Sequence, residues 1–146
     1  MPPTGLFIGL IVLVIAAIAG FIVIHTMQLH REAAQAQVVA NKVIQRLDKQ
    51  DVAGIRTLAD KKFQADNSAD KLEPLVKPIA QIYGNSTPVV DQTVVSNTDK
   101  AQYVTFIYKY GRLKVPFYVR VGMSRPNGTG TWHLVNLGAN LDESQL

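Results

Sequence analysis

The sequence predicts an α+β protein in which an N-terminal transmembrane helix precedes helices packed on a curved antiparallel sheet of about four strands. Three observations predict it. Residues 5–24 form an apolar run of 20 residues without a charge. Helical spacing and capping residues fill 28–83, and everything after Pro88 reads as short strands between turn signals. Helices gathered first and strands gathered last separate this plan from the alternating order of a parallel α/β sheet. The expected organisation is a short tail and anchor over 1–27, an α+β domain over 28–140 (helices 28–83, strands 88–138) and a tail over 141–146.

The 146 residues are enough for one modest domain behind the anchor. Its 15 Lys and Arg against 11 Asp and Glu give a net charge of +4, and none of these charges precedes Arg31. With no cysteine in the chain, disulfide scaffolds, cysteine-ligated zinc, iron–sulfur clusters and thiol nucleophiles are excluded.

The run from Leu6 to Ile24 is long enough, at roughly 1.5 Å per helical residue, to cross a hydrocarbon core of roughly 30 Å. Ala17-Ile-Ala19 offers a small-residue cleavage site for a signal peptide. Residues 1–4 carry no Lys or Arg, however, and the apolar run continues through Phe21-Ile-Val-Ile24, so an uncleaved anchor is the expectation. Arg31, Lys42 and Arg46 follow the span, and by the positive-inside count they favour a cytoplasmic C-terminus. Glu32 and Asp48 dilute that count, and a folded domain of this size translocates regardless of charge. The short leading tail with the domain behind it is the layout of a signal anchor. The expectation is a single-pass protein of the cell membrane with its domain extracytoplasmic.

Gly5, Gly9, Ala16 and Gly20 fall at about 0°, 40°, 20° and 60° around a helix turning 100° per residue, so all four share one narrow stripe. Two small-x-x-x-small pairs of this kind let a second backbone approach, which marks a face for a membrane-protein partner or a second copy of the chain.

Residues 28–49 continue as helix. Leu29, Ala33, Ala36, Ala40, Val43 and Leu47 could form a coiled-coil seam, but Val39 and Ile44 widen the stripe and favour packing on the chain's own domain. Asp51 fits an N-cap for a short helix over 52–59. Asp60-Lys-Lys-Phe63 reads as the lead into a polar turn and Ser68 as a second cap. Pro74 and Pro78 predict a break or kink near Glu73 in the stretch that runs to Tyr83. Gly84-Asn-Ser-Thr-Pro88 then ends the helical half.

In the strand half, 89–96 leads into the turn Asn97-Thr-Asp-Lys100, and 102–110 is followed by Gly111-Arg112, the Gly-first form of a two-residue hairpin. That turn predicts Tyr110 opposite Leu113, Tyr108 opposite Val115, Phe106 opposite Phe117 and Val104 opposite Val119. Lys109 then faces Lys114 on the other side of the sheet. The clean split into an apolar and a mixed face supports this register. Ser124-Arg-Pro-Asn-Gly-Thr-Gly130 is a turn-rich loop, and 131–137, with Trp132, is the last strand.

Taken together, the helix ending in Val43-Ile-Gln-Arg-Leu-Asp-Lys-Gln-Asp-Val-Ala-Gly-Ile-Arg-Thr-Leu-Ala59, Phe63 after it, Tyr83-Gly84 and the strand Gly130-Thr-Trp-His-Leu-Val-Asn-Leu137 resemble the cystatin-like cone fold of the nuclear-transport-factor-like superfamily over roughly residues 31–138. That superfold hosts isomerases, dehydratases, binding domains and assembly modules. Members with one N-terminal span and one exported cone include small bacterial membrane proteins and an inner-membrane scaffold subunit of type IV secretion systems, than which this chain is shorter.

The resemblance implies that an enzyme of this kind would carry an Asp or His beside a Tyr inside the cone. Asp91, His133, Tyr83, Tyr103, Tyr108 and Tyr110 are available, yet they form no recognisable spaced motif. His133 alternates with Trp132 and Leu134 and reads as a structural or surface histidine. No catalytic residue and no cofactor are expected. Metal ligation is not expected either, because His25 and His30 stand five apart and read as interfacial flanks of the span, leaving only His133. Asn127-Gly-Thr-Gly130 lacks the Lys of a phosphate loop and reads as turn chemistry. Asn85-Ser-Thr and Asn127-Gly-Thr match the glycosylation sequon, a weak signal in a chain of this size.

Lys109, Arg112 and Lys114 cluster at the hairpin tip, where they would meet an anionic surface or simply keep the hairpin soluble. Interspersed acids and the lack of a motif argue against nucleic acid as a partner. The expected function is a membrane-anchored interaction or assembly module without catalytic activity of its own, in contact with the lipid bilayer and with a membrane protein or another copy. The alternative is a binding domain for a small apolar ligand in a cone pocket lined by Phe106, Tyr108, Phe117 and Trp132, and an isomerase-like enzyme ranks below both.

Overall fold

Helix α1 (Thr4–Asp48) is followed by α2 (Val52–Thr57), α3 (Lys61–Asp66) and α4 (Ala69–Tyr83), then by strands β1 (Val89–Asn97), β2 (Ala101–Tyr110), β3 (Phe117–Pro126) and β4 (His133–Asn140) and a closing 3₁₀ turn, Glu143–Gln145. This order comes from a computed structural model that describes residues 4–84, 86–111, 116–126 and 129–146, with side-chain surroundings from Val12 onward. The chain divides into two compact units, Met1–Glu32 and Ala33–Leu146. The α+β class, with helices and a curved four-strand antiparallel sheet behind a long apolar N-terminal helix, is as the sequence predicts.

In the first unit, the helix is apolar on all sides, and its large side chains are exposed, Leu13 and Phe21 each by 71%. It is long and apolar enough to cross a membrane. The Thr26 hydroxyl donates to the Ile22 carbonyl at 2.7 Å, so it is satisfied within the helix itself. Phe21 and His25, one turn apart, stack with ring centroids 6.1 Å apart.

The second unit holds the core. Ala36, Ala40, Val43, Ile44 and Leu47 of α1 are buried in it, so this stretch packs on its own domain rather than forming a coiled-coil seam. The end of α1 is closed by a Schellman arrangement: the Asp51 amide donates to the Arg46 carbonyl at 2.8 Å and the Gln50 amide to the Leu47 carbonyl at 3.0 Å. Gln50 takes φ 57°, the left-handed conformation glycine usually supplies there. Asp51 then caps α2, its carboxylate accepting from the Gly54 amide at 2.8 Å, as the sequence predicts.

Two helical readings change. The Asp60 stretch is no plain turn: Asp60 accepts from the Phe63 amide at 2.7 Å and starts α3, which buries Phe63. Nor do Pro74 and Pro78 break the next helix, since both lie inside α4. Their spacing of four puts them on one exposed face, where the carbonyls that lose a donor can be hydrated, while Leu72, Val76, Ile79 and Tyr83 line the buried face.

The sheet is a meander of order β1-β2-β3-β4. The predicted two-residue hairpin is wrong. Tyr110 pairs with Phe117, Tyr108 with Val119, Phe106 with Val121 and Val104 with Met123, so residues 111–116 connect the strands. Each β2 residue therefore meets a partner four positions further on than expected. An even slip keeps side-chain parity, so the inner face stays apolar and face separation alone cannot tell the two registers apart. Trp132 lies just ahead of β4, which starts at His133. Leu134 ties the sheet to the helices: its amide donates to the Leu58 carbonyl at 2.8 Å, and its carbonyl accepts from the Asp60 amide at 3.0 Å.

Candidate functional site

The last two turns of α1 form one wall of a groove. Asn41, Ile44, Gln45 and Asp48 lie on neighbouring positions of the helix surface, beside the buried stripe of Ala40, Val43 and Leu47. Tyr108 on β2 forms the floor, and Ser86, Thr87 and Pro88 form the opposite rim, enclosing about 420 Å³.

Two tyrosines fasten this helix face to the sheet. The Tyr108 hydroxyl donates to Asn41 Oδ1 at 2.7 Å, and the Tyr110 hydroxyl donates to Asp48 Oδ1 at 3.2 Å. Successive inward residues of a strand stand two apart, while Asn41 and Asp48 stand two helical turns apart, so both bonds form along one seam. Burial pushes both phenol groups above their ordinary range, with Asp48 adding to the effect at Tyr110. Both therefore stay protonated donors at any physiological pH. Asp48 is half-buried, and that burial raises its carboxyl above the usual carboxylate range while the Tyr110 bond opposes the rise. Ser86 donates its hydroxyl to the Tyr83 carbonyl, and its amide donates to the same oxygen at 2.8 Å.

The four residues expected to line a cone pocket are packed in the domain interior. Phe106, Tyr108 and Trp132 are buried members of the core, and half-buried Phe117 stacks on Tyr83 at a centroid separation of 4.7 Å. Tyr110 closes the same aromatic cluster, 5.6 Å from Tyr83 and 6.2 Å from Phe117. Of the four, only Tyr108 lines the groove.

Lys109 does not face Lys114. It stands opposite Tyr118 with its ammonium 5.9 Å above that ring, a favourable contact in place of the expected like-charge clash. Arg112 and Lys114 lie outside the described residues. Of the membrane stripe, Ala16 and Gly20 are exposed, and the side-chain surroundings of Gly5 and Gly9 lie outside the description. His133 is half-buried opposite Ser124, and Tyr103 is exposed. Both sequons contain a residue, Asn85 or Asn127, outside the described set.

Asn41, Gln45, Asp48 and Ser86 carry the groove and were not singled out from sequence as a site. The available signal was a polar position at the edge of each apolar turn of α1, which by itself reads as ordinary amphipathic surface. Among the described residues no cluster of three or more metal-ligating side chains occurs. Compared with known proteins, the chain matches no family model and no curated sequence.

Proposed function

We propose that the chain is a single-pass, membrane-anchored interaction or assembly module, a cystatin-like cone carried on the extracytoplasmic side by an uncleaved signal anchor and without catalytic activity of its own. The observation that carries this reading is the helix of the first unit, whose apolar side chains from Val12 to Met27 are exposed on every side. A helix hydrophobic all round is stable only inside protein or lipid. The domain interior adds support, because Phe106, Tyr108 and Trp132 are buried in the core and Phe117 stacks on Tyr83. In this reading the stripe of Gly5, Gly9, Ala16 and Gly20 seats a partner helix or a second copy.

Crosslinking in the native membrane, followed by detergent extraction and comparison with Gly9→Ile plus Gly20→Ile, tests it. A Cβ at Gly20 meets nothing within 4 Å among the described residues beyond its own helical turn, so the substitution is sterically free within the chain. Specific crosslinked species that vanish in the double variant are the expected result. If neither form associates with anything, the helix is a tether only and the assembly reading fails.

A further inference from the structure

The strand register lays out the face of the sheet turned away from the core. On β2, Val104, Phe106 and Tyr108 are buried, so Tyr103, Thr105 and Ile107, which alternate with them, stand on the outer face. Pairing sets Ser124, Gly122 and Arg120 of β3 beside these three, and Asn136 and Gly138 of β4 beside Gly122 and Arg120. Gly122 is thus ringed by side chains and contributes none. A Cβ there would come within 2.9 Å of the Asn136 Cβ, so the gap stays open unless Asn136 moves. The register shift opposite Gly122 leaves Val135 out of the ladder, and Val135 joins Tyr103, Thr105, Arg120 and Asn136 around a cavity of about 270 Å³.

Among the described residues lining this cavity, Arg120 alone is charged. Its Nε donates to Asn136 Oδ1 at 3.0 Å, which holds the guanidinium against the sheet. Gly138 leaves room for it there: Nε and Nη2 each lie 3.9 Å from where a Cβ of Gly138 would stand. Arg120 makes no ion pair among the described residues, with the Leu146 carboxylate or with any other, and its terminal nitrogens keep their donors. The Asn136 oxygen is spent on Arg120, whereas its amide donors are unspent. The acids of the C-terminal turn are engaged away from it, Glu143 with Gln92 on β1, two strands from Arg120, and Asp142 with Ser144.

We propose that this outer cavity binds one carboxylate group on a small apolar body, with the carboxylate on Arg120 and Asn136 and the body between Tyr103 and Val135. A planar guanidinium with free terminal donors matches a carboxylate in shape and charge. A phosphate dianion brings more charge than one cation answers, and an ammonium is repelled. The volume falls just under the roughly 300 Å³ at which ordinary small-molecule sites begin, so the group is the size of a single ring or an acidic side chain. Tyr103, 39% exposed, offers an open aromatic surface. A glycine inside a strand weakens it, and here its effect is to keep the middle of the face empty. The carboxylate can belong to a free organic acid or to an acidic side chain of a partner, and the chemistry at Arg120 is the same.

The test is a titration of the full-length chain in nanodiscs of zwitterionic lipid, followed by amide chemical shifts, with benzoate, benzamide, benzylammonium and phenyl phosphate as probes. Saturable shifts at Thr105, Gly122 and Asn136 with benzoate, and at least tenfold weaker effects with the other three, are expected. Arg120→Gln should weaken benzoate binding by about tenfold or more. Should that variant lose its native spectrum, Tyr103→Ala decides instead, because it should weaken benzoate and leave acetate unchanged. Nα-acetyl-glutamate methylamide binding more tightly than benzoate would assign the group to a partner's side chain, and the reverse order to a free acid. Either supports the chemistry. Equal responses to benzamide and benzoate, tighter binding of phenyl phosphate, an unchanged affinity in Arg120→Gln with native spectra, or no saturable shift overturns the proposal. None of these outcomes depends on whether the anchor helix associates.

Discussion

Gln50 occupies a position that the backbone builds for glycine. It stands just past the C-cap of α1 with φ 57°, and both hydrogen bonds of the Schellman closure form around it. An L residue other than glycine pays roughly 1 kcal/mol to sit in the left-handed region, whereas glycine loses more chain entropy on folding. The conformational strain wins at an exposed residue. Gln50→Gly should therefore raise stability by up to about 1 kcal/mol in thermal melts followed by near-ultraviolet circular dichroism, and a loss would show that the Gln50 side chain has a contact of its own.

Asp48 supplies the pH dependence at the same scale. Its folded carboxyl lies above the unfolded value of 3.8 because burial disfavours the charge. The folded state then binds more protons than the unfolded state in the window that opens at 3.8, so this group's contribution is complete below that pH and is lost as pH rises through the folded value. Asp51 runs the other way. The Gly54 amide and Arg46 hold its carboxyl below 3.8, so its contribution is present above that pH and lost as pH falls. Asp48→Asn keeps the acceptor for Tyr110 and deletes only the first effect. The variant should match the wild type below pH 3.8 and exceed it at pH 7, by less than about 1 kcal/mol because Asp48 is half-exposed to solvent screening. Equal stability of the two at pH 7 would mean that burial does not disfavour the charge.

At the scale of elements, the sequence was most legible where a local rule had one solution. Asp51, followed by Val52, Ile55 and Leu58, fits a capped helix and little else, and α2 begins where the cap puts it. It was least legible where two solutions shared one pattern. Pro74 and Pro78 look like two breaks until their spacing places both on the hydrated face of α4. The β2–β3 hairpin fails in the same way: Gly111-Arg112 suits a tight turn, and the alternation of Tyr110, Tyr108, Phe106 and Val104 satisfies either a two-residue or a six-residue connection. The groove escaped for a third reason, since Asp48 and Tyr110 are 62 positions apart and only the fold brings them together. Cross-strand disulfides decide the register, and the chain's lack of native cysteine makes the experiment clean. Ile107 and Arg120 are opposite in the observed pairing, whereas the shorter turn puts Pro116 opposite Ile107. The double variant Ile107→Cys plus Arg120→Cys should close its disulfide readily under mild oxidation, because opposed residues of antiparallel strands stand about 4.5–5.5 Å apart. Ile107→Cys plus Pro116→Cys should remain reduced; the opposite outcome restores the short turn.

At the scale of the whole molecule, the two units have different solvents to satisfy. Among the described residues, every buried member of the hydrophobic core lies between Ala36 and Leu134, inside the second unit, and none comes from the apolar helix before it. The hydrogen bonds that fasten helices to sheet, Tyr108 to Asn41, Tyr110 to Asp48 and the paired bonds of Leu134, also lie within that unit. The apolar side chains of residues 12–27 are exposed, and they gain free energy by leaving water for lipid, at about 25 cal/mol for each Å² transferred. Residues 28–146 expressed alone should accordingly be soluble and monomeric, and their melting temperature should lie within a few degrees of the same transition in the full chain in nanodiscs. The full chain should resist extraction from membranes by carbonate or high salt, since an apolar helix is held by burial and not by charge. A truncated domain that aggregates or loses its near-ultraviolet signal would show that the apolar helix also serves the fold, and it would then have to be counted as part of the domain rather than as its anchor.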